Sequence, residues 1–515
     1  MVQNQHIFQT YKTLRNHLKK LCIDDSFFVI WNYAQYLQFG KKIPKIIEVN
    51  PTFYLNNSIN WRVKEWELEL LTKEIIINSQ NSSSCSISLK KLSYFSSMVN
   101  KLRSLRDEIT KTYSTKENVI TELYRIAHRQ FPWQSQPNIE YLFRYYKIYS
   151  IPVLNNIIKR VIGLTIRDLY IIGFSFIGYY SEKPDIPLPF STKLNIKKVG
   201  IDLCKVNKFL NFTSETLLTL KEKLIKEQEF NDKFEYTYNH IRACPIIRMP
   251  YKKKTSLVCP ILTLLFWRIT SGLYYEICTE KDFGVNFGSS FQEYVGHVIE
   301  KANNNKGIKF IKEEEYYIAR NRKDTVDWIV YDRDSALFIE CKTKRMILPG
   351  KIELKDSLLI EEELNKMAKF ILQTYKTIDD YLNNKYPSFN YEEKRQIYPL
   401  ILTMEDWFLF GYKRLDVLKK IIIKEFNDIN LPVDYLKKMP FSICSVGEFE
   451  DIIQVIQITC IKKFMDKKVF DQEKNEWLFH SFISKEFPEE SKKLKFLFKD
   501  DFSKLFPAPM EEVTE

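Results

Sequence analysis

Apolar residues recur at helical spacing through most of the first ~280 positions. Trp31 to Leu37, Trp61 to Ile77, Leu102 to Ile109 and Val119 to Ile126 carry them at intervals of three and four, which predicts amphipathic helices. Two tracts interrupt the pattern: Asn78 to Ser84 is polar, and Ser181 to Pro189 holds three prolines that forbid helix. A helical connector over Ser214 to Phe230 follows. From about Gly284 the period changes. A helix over Ser290 to Ala302 leads into Lys309 to Lys312, then into strand-like runs over Thr325 to Tyr331 and Ala336 to Lys342. A long helix over Asp356 to Leu382 and another strand over Ile397 to Thr403 come next. Phe441 to Cys444 is strand-like, and Ser445-Val446-Gly447-Glu448 has the form of a capping box opening a further helix.

The expected architecture is therefore multi-domain: a mostly α-helical N-terminal region, then an α/β core with a mixed sheet flanked by helices. The expected divisions are a basic helical region at 1–200, a helical connector at 201–283, the core at 284–405, and a mixed α/β extension packed on the core at 406–515.

Composition narrows the class. With 45% apolar residues and 28% charged, the chain can bury large cores and is not a long disordered polymer. Its nine cysteines form no Cys-x-x-Cys pair, which counts against a zinc or redox motif and a secreted disulfide framework. Met1 to His6 lacks the basic-then-apolar pattern of a signal peptide, and the most apolar stretches, Leu169 to Tyr180 and Pro260 to Leu273, fall short of the ~20 residues a bilayer needs. The expectation is a cytoplasmic protein with no membrane partner. The formal charge of +13 is unevenly spread. Residues 1–200 hold 28 Lys+Arg against 15 Asp+Glu, and the remainder holds 50 of each. A basic region of that size is expected to contact nucleic acid.

The candidate chemistry lies in the neutral part. Side chains alternate along a strand, so Glu340 and Lys342 share one face while Ile339 and Cys341 take the other. A turn at Asp332 to Ser335 folds Asp327 back alongside that face. Two carboxylates and one ammonium then converge, an arrangement suited to a hard divalent cation that keeps several waters and binds a phosphate oxygen. Glu-x-Lys recurs at Glu353, Glu392 and Glu490, but none of these ends an apolar β-run with an aspartate-led strand upstream. Glu340 follows Ala336-Leu337-Phe338-Ile339, where a carboxylate is costly without a partner. There is no Walker-type phosphate loop.

These residues resemble the PD-(D/E)XK nuclease superfamily, the restriction-endonuclease-like fold, over about Gly284 to Met404, in its helix–three strands–helix–strand order. The resemblance implies that Asp327 and Glu340 bind Mg²⁺ or Mn²⁺ and that Lys342 positions the attacking water. The family's proline before the aspartate is replaced here by Val326. Members also carry a glutamate on the preceding helix. Glu293 is the candidate third metal ligand, although Ser290-Phe291-Gln292-Glu293 also has the form of a capping box. Lys344 and Arg345, just past the strand, are candidate nucleic-acid contacts. Gln373 is read as a solvated helix residue, and the basic-aromatic tracts around Arg129 and Arg144 as helix packing. The implied activity is metal-dependent hydrolysis of phosphodiester bonds, with DNA favoured as substrate. The layout resembles restriction or anti-phage defence enzymes, acting as a homo-oligomer or with a partner protein. A non-catalytic nucleic-acid-binding or scaffold protein on the same fold, and an RNA-directed nuclease, are the alternatives left open.

Overall fold

The structure is a computed structural model that describes residues 2–50, 63–79, 85–116, 118–134, 138–189, 201–303, 307–354, 358–409 and 412–505. It is about 60% helical, with helices dominating the N-terminal part and mixed sheet in the C-terminal part. The chain divides into two compact units, residues 1–138 with 149–283, and residues 139–148 with 284–515.

The first unit is built around the helix Glu65–Asn78, which is buried on nearly every side. Its charged residues are therefore matched by partners, as buried charges must be. Arg103 donates to both carboxylate oxygens of Glu67 at 2.7 Å, and Arg242 does the same to Glu69 at 2.6 and 2.7 Å. Tyr11, Asn78 and Gln228 donate to Glu74, and Lys73 donates to Thr237 at 2.6 Å. Around this helix pack Val2–Leu18, Ile23–Phe39 and Leu92–Tyr113, whose inward faces share one apolar core.

The separation expected at residue 200 has no counterpart in this unit. The proline-rich tract is not a linker: Asp185–Pro187 is a strand, paired antiparallel with Lys254–Val258 in a four-stranded sheet that also contains Ser214–Thr216 and Ile246–Tyr251. Proline is tolerated there because Asp185–Pro187 is an edge strand. Among the described residues no single helix is long and apolar enough to cross a membrane. Pro152–Ile162 and Ile166–Glu182 meet that test only as a pair, bent by 62°.

The second unit carries the candidate site. Helix α1 (Phe283–Ala302) precedes strand β1 (Lys309–Lys312), a two-stranded hairpin of β2 (Glu315–Ile318) and β3 (Asn321–Asp324), then β4 (Trp328–Tyr331) and β5 (Ser335–Lys342). Helix α2 (Leu358–Leu382), β6 (Gln396–Thr403), α3 (Tyr412–Asp428), β7 (Ser442–Ser445) and α4 (Val446–Thr459) follow. The five-stranded sheet has the order β7-β6-β5-β4-β1. β4 runs antiparallel to both of its neighbours, β1 and β5, whereas β5, β6 and β7 are parallel, as a helical crossover such as α2 requires. One face of the sheet packs against α2 and α3 through Ala336, Phe338, Ile371, Tyr375 and Leu418. The capping box at Ser445 is present, with Glu448 closing back on the Ser445 amide.

The helix expected from Ser290 begins at Phe283. Phe283, Phe287, Phe291 and Val295 recur every four residues and are all buried. Gly284 and Gly288 lower intrinsic helix propensity by about 1 kcal/mol each and mask that pattern in the sequence. Ser290 is thus inside the helix, and its hydroxyl donates to the Ile148 carbonyl at 2.7 Å instead of capping.

Further along α1, Gly296 lets the helix approach β4. A Cβ there would clash with Cζ2 of Trp328, whose ring is held by a 3.0 Å bond from Nε1 to the Gln292 carbonyl. Gly296→Ala is expected to destabilise the protein by about 1–3 kcal/mol, because overpacking outweighs the ~1 kcal/mol gain in helix propensity. Urea denaturation of the variant would show it, and an unchanged or raised midpoint would contradict this packing.

Candidate active site

The register of the sheet assembles the site. β4 and β5 pair Trp328 with Ile339, so the next position brings Asp327 opposite Glu340. β1 and β4 pair Lys312 with Trp328, and the Glu313 amide donates to the Asp327 carbonyl at 2.9 Å, so Glu313 extends the same row. Three carboxylates from three neighbouring strands therefore stand side by side at one end of the sheet. Lys342 lies two residues beyond Glu340 on the same face, as the pleat demands.

Contacts fix each member. Asp327 accepts the Cys341 amide through Oδ2 at 2.5 Å, which ties it across the hairpin. Glu340 is buried, 4% exposed, and its Oε1 accepts from Lys342 Nζ at 2.6 Å. Lys342 also donates to Gln373 Oε1 on α2 at 3.3 Å, and its ammonium lies 5.2 Å from the centre of the Phe370 ring. Glu313, at the solvent side, accepts from Gln292 Nε2 on α1 at 3.0 Å.

The row is electrostatically crowded. Burial, and then the neighbouring Glu340 charge, push the Asp327 carboxyl up to about 8. Glu340 is also raised, by burial and by Glu313, against the opposing pull of Lys342. One ammonium does not offset the negative charge gathered here, so protons are retained in its place. Carboxyls perturbed by burial and by a specific neighbouring charge make this row a candidate functional site.

No family model, no curated protein and no solved structure matches this chain. The reading of the site thus rests on its own geometry.

The structure brings Asp327, Glu340 and Lys342 together, as expected. Glu293 is a correction. It forms neither a capping box nor part of the carboxylate row, because its side chain pairs with Lys312 on β1. Among the described residues no group of three or more His, Cys, Asp or Glu side chains is close enough to hold a metal ion, so a cation would be held by the Asp327–Glu340 pair. Arg345 is a second correction. It is 4% exposed, pairs with Glu405 at 2.9 Å and contacts Tyr145, so it is committed to the interior. Lys344 is exposed. Gln373 is exposed as read, but it also reaches Lys342. Arg129 and Arg144 are paired with Glu235 and Glu450, consistent with helix packing. Glu313 is the site residue that sequence reasoning missed. The available signal was an acidic residue directly after the short run Lys309–Lys312.

Proposed function

We propose that the chain is a metal-dependent phosphodiesterase acting on nucleic acid, with DNA the favoured substrate. The observation that carries this reading is the cross-strand placement of Asp327 against Glu340, with Lys342 on the same face. The succession α1, β1, β4, β5, α2, β6 supports it as well, since it follows the helix–three strands–helix–strand order of the resemblance. The β2–β3 hairpin is an addition between the first two strands.

The donor set fits a hard cation. Asp327 and Glu340 offer anionic oxygens whose mutual repulsion a divalent ion would relieve, and Mg²⁺ commonly binds through one or two carboxylates plus waters and phosphate oxygens. When bound, such an ion would supply Lewis-acid stabilisation of the charge developing on the phosphate oxygens and would acidify a water. The chain's own contribution is to hold these groups rigidly. The Cys341 amide orients Asp327, and Gln373 and Glu340 aim the Lys342 ammonium, which positions the attacking water and offsets developing negative charge.

Binding is assigned to a different surface. The first unit holds 39 Lys+Arg against 24 Asp+Glu, whereas the second holds 39 against 41. Internal pairs such as Arg103–Glu67 and Arg242–Glu69 remove acid and arginine together, so they leave this surplus intact. The first unit would supply phosphate contacts, and the observed affinity should fall with salt by a slope set by their number.

Incubating the protein with plasmid, single-stranded DNA and RNA, with and without Mg²⁺ or Mn²⁺, tests the activity. Failure to cut any of them with either metal removes the phosphodiesterase reading. The raised Asp327 carboxyl adds a pH test. Its folded value lies above its unfolded one, so the stability carried by the protonated form is complete below pH ~4 and lost as pH rises through about 8. A cation needs the deprotonated form. The apparent Mg²⁺ or Mn²⁺ affinity, read from thermal shifts, is expected to rise up to about tenfold per pH unit toward pH 8 and to vanish in Asp327→Asn. A pH-independent shift would count against this pair as the ligands.

A further inference from the structure

Beyond the carboxylate row lies a cavity of about 370 Å³ that runs from the C-terminal end of β6 along the edge strand β7, between Pro440 and Ser445. Thr403 and Ser445 mark the two strand ends, and the sheet register aligns Lys342 with Thr403 and Thr403 with Ser445. At about 4.8 Å per strand, the Ser445 backbone stands roughly 10 Å from that of Lys342. Crevices at the carboxyl ends of parallel strands are where open α/β sheets bind ligands.

The walls are aromatic, with Trp407, Phe441, Trp477 and Phe479 among the lining residues. Polar and charged residues break this lining at several points, among them Ser442, Asp406, Glu448 and Lys468. The Ser442 hydroxyl is buried, 5% exposed, and has no hydrogen-bond partner. A buried hydroxyl left in that state is costly, so it marks a place where a ligand atom would be welcome. Burial raises the Asp406 carboxyl above its ordinary range against the opposing bond from Ser445, and a ligand donor aimed at it would favour its ionised form, which has acceptor sites to spare. Glu448, by contrast, is spent on the backbone, accepting the amides of Ser445 and Phe479.

We infer that this cavity takes a flat heteroaromatic ring bearing hydrogen-bond donors, and that the ring is an unstacked nucleobase of the strand being cut. The inference rests on the phosphodiesterase reading for the source of that base. Aromatic faces stack any base, while Asp406 at the Ser445 end of β7 and Ser442 at its other end, about 10 Å away along the strand, meet polar atoms on opposite sides of the nucleotide. An enzyme holding one base in this way requires a single-stranded substrate, or extrudes the nucleotide from a duplex.

Equilibrium dialysis of the full-length protein in EDTA against adenosine, guanosine, cytidine and thymidine tests the cavity without catalysis. Saturable binding of at least one nucleoside is expected, weakened tenfold or more by Asp406→Asn and by Ser442→Val, and unchanged by Lys342→Ala. No saturable binding at about 1 mM, or binding indifferent to both cavity variants, would overturn the inference. A second arm uses single-stranded oligonucleotides with one abasic residue moved stepwise past the cut. Cleavage should drop about tenfold or more at one position, and equal cleavage at all positions would overturn the inference while leaving the phosphodiesterase intact. Asp406-dependent nucleoside binding by a protein that cuts no oligonucleotide would support the cavity and remove the phosphodiesterase reading.

Discussion

Lys342→Ala is expected to lower metal-dependent cleavage by about 10²–10⁴-fold, the range in which a positioned proton-transfer or charge-stabilising group contributes. The ammonium is partly exposed, with 19% of its side chain accessible, so its removal opens no large internal cavity. Its loss leaves Glu340 buried without the nearest counter-charge. That carboxyl is already raised by burial, so it responds by taking up a proton, and the folded state is preserved. The same neutralisation weakens cation binding, and activity is therefore lost twice over. Lys342→Arg should not restore it, because a planar guanidinium cannot present a compact ammonium to Glu340 and Gln373 together. Asp327→Asn and Glu340→Gln should fall in the same range. Cleavage assays on purified variants, with melting curves as a folding control, decide the matter. Undiminished cutting by Lys342→Ala would sink the site assignment.

How much of this site was legible beforehand follows from the distance over which its contacts act. Asp327, Glu340 and Lys342 could be read because one hairpin contains them. Strand alternation sets the face, and the turn at Asp332 to Ser335 sets the register. Glu313 could not, since the β2–β3 hairpin separates β1 from β4 and the short β1 run gives no clear alternation. Arg345 looked like a surface cation following a strand. Its burial depends on Glu405 and Tyr145, far away in sequence, and no local pattern announces such a pair. The strands and helices of the second unit were visible in outline because their apolar runs are long. The start of α1 was obscured by two glycines whose weak propensity tertiary packing overrides. The division of the chain was legible only in part. The charge contrast suggested a boundary near residue 200 and the change of period another at 283/284; chain contacts divide the chain at 283/284 and assign residues 139–148 to the later unit.

That reassignment has a large energetic consequence. The helix Ile139–Tyr149 buries Leu142, Phe143 and Ile148, and Phe143 stacks on Phe498 at 4.9 Å. At its centre Arg144 is 9% exposed and donates through Nε and Nη2 to both oxygens of Glu450 at 2.8 and 2.9 Å. The Tyr294 hydroxyl on α1 donates to the same carboxylate at 2.8 Å. Burial disfavours the Arg144 charge, but Glu450 outweighs it, and the guanidinium is held above its ordinary range. Removing one partner strands the other charge in the interior. Glu450→Ala and Arg144→Ala are each expected to cost about 3–5 kcal/mol, against at most ~1 kcal/mol for an exposed pair. For a unit of this size that corresponds to roughly 10 °C in the melting midpoint of its transition. The double variant Arg144→Met with Glu450→Leu should recover most of the loss, because no unpaired charge then remains inside. Single variants that shift stability by less than about 1 kcal/mol would show that the pair is not buried in solution. The same contacts predict that a fragment covering residues 201–515 lacks a piece of its own core. It should unfold at lower temperature than the second unit does in the full chain, so the salt dependence of the proposed DNA binding is better tested by charge-reversing lysines of the first unit than by truncating it.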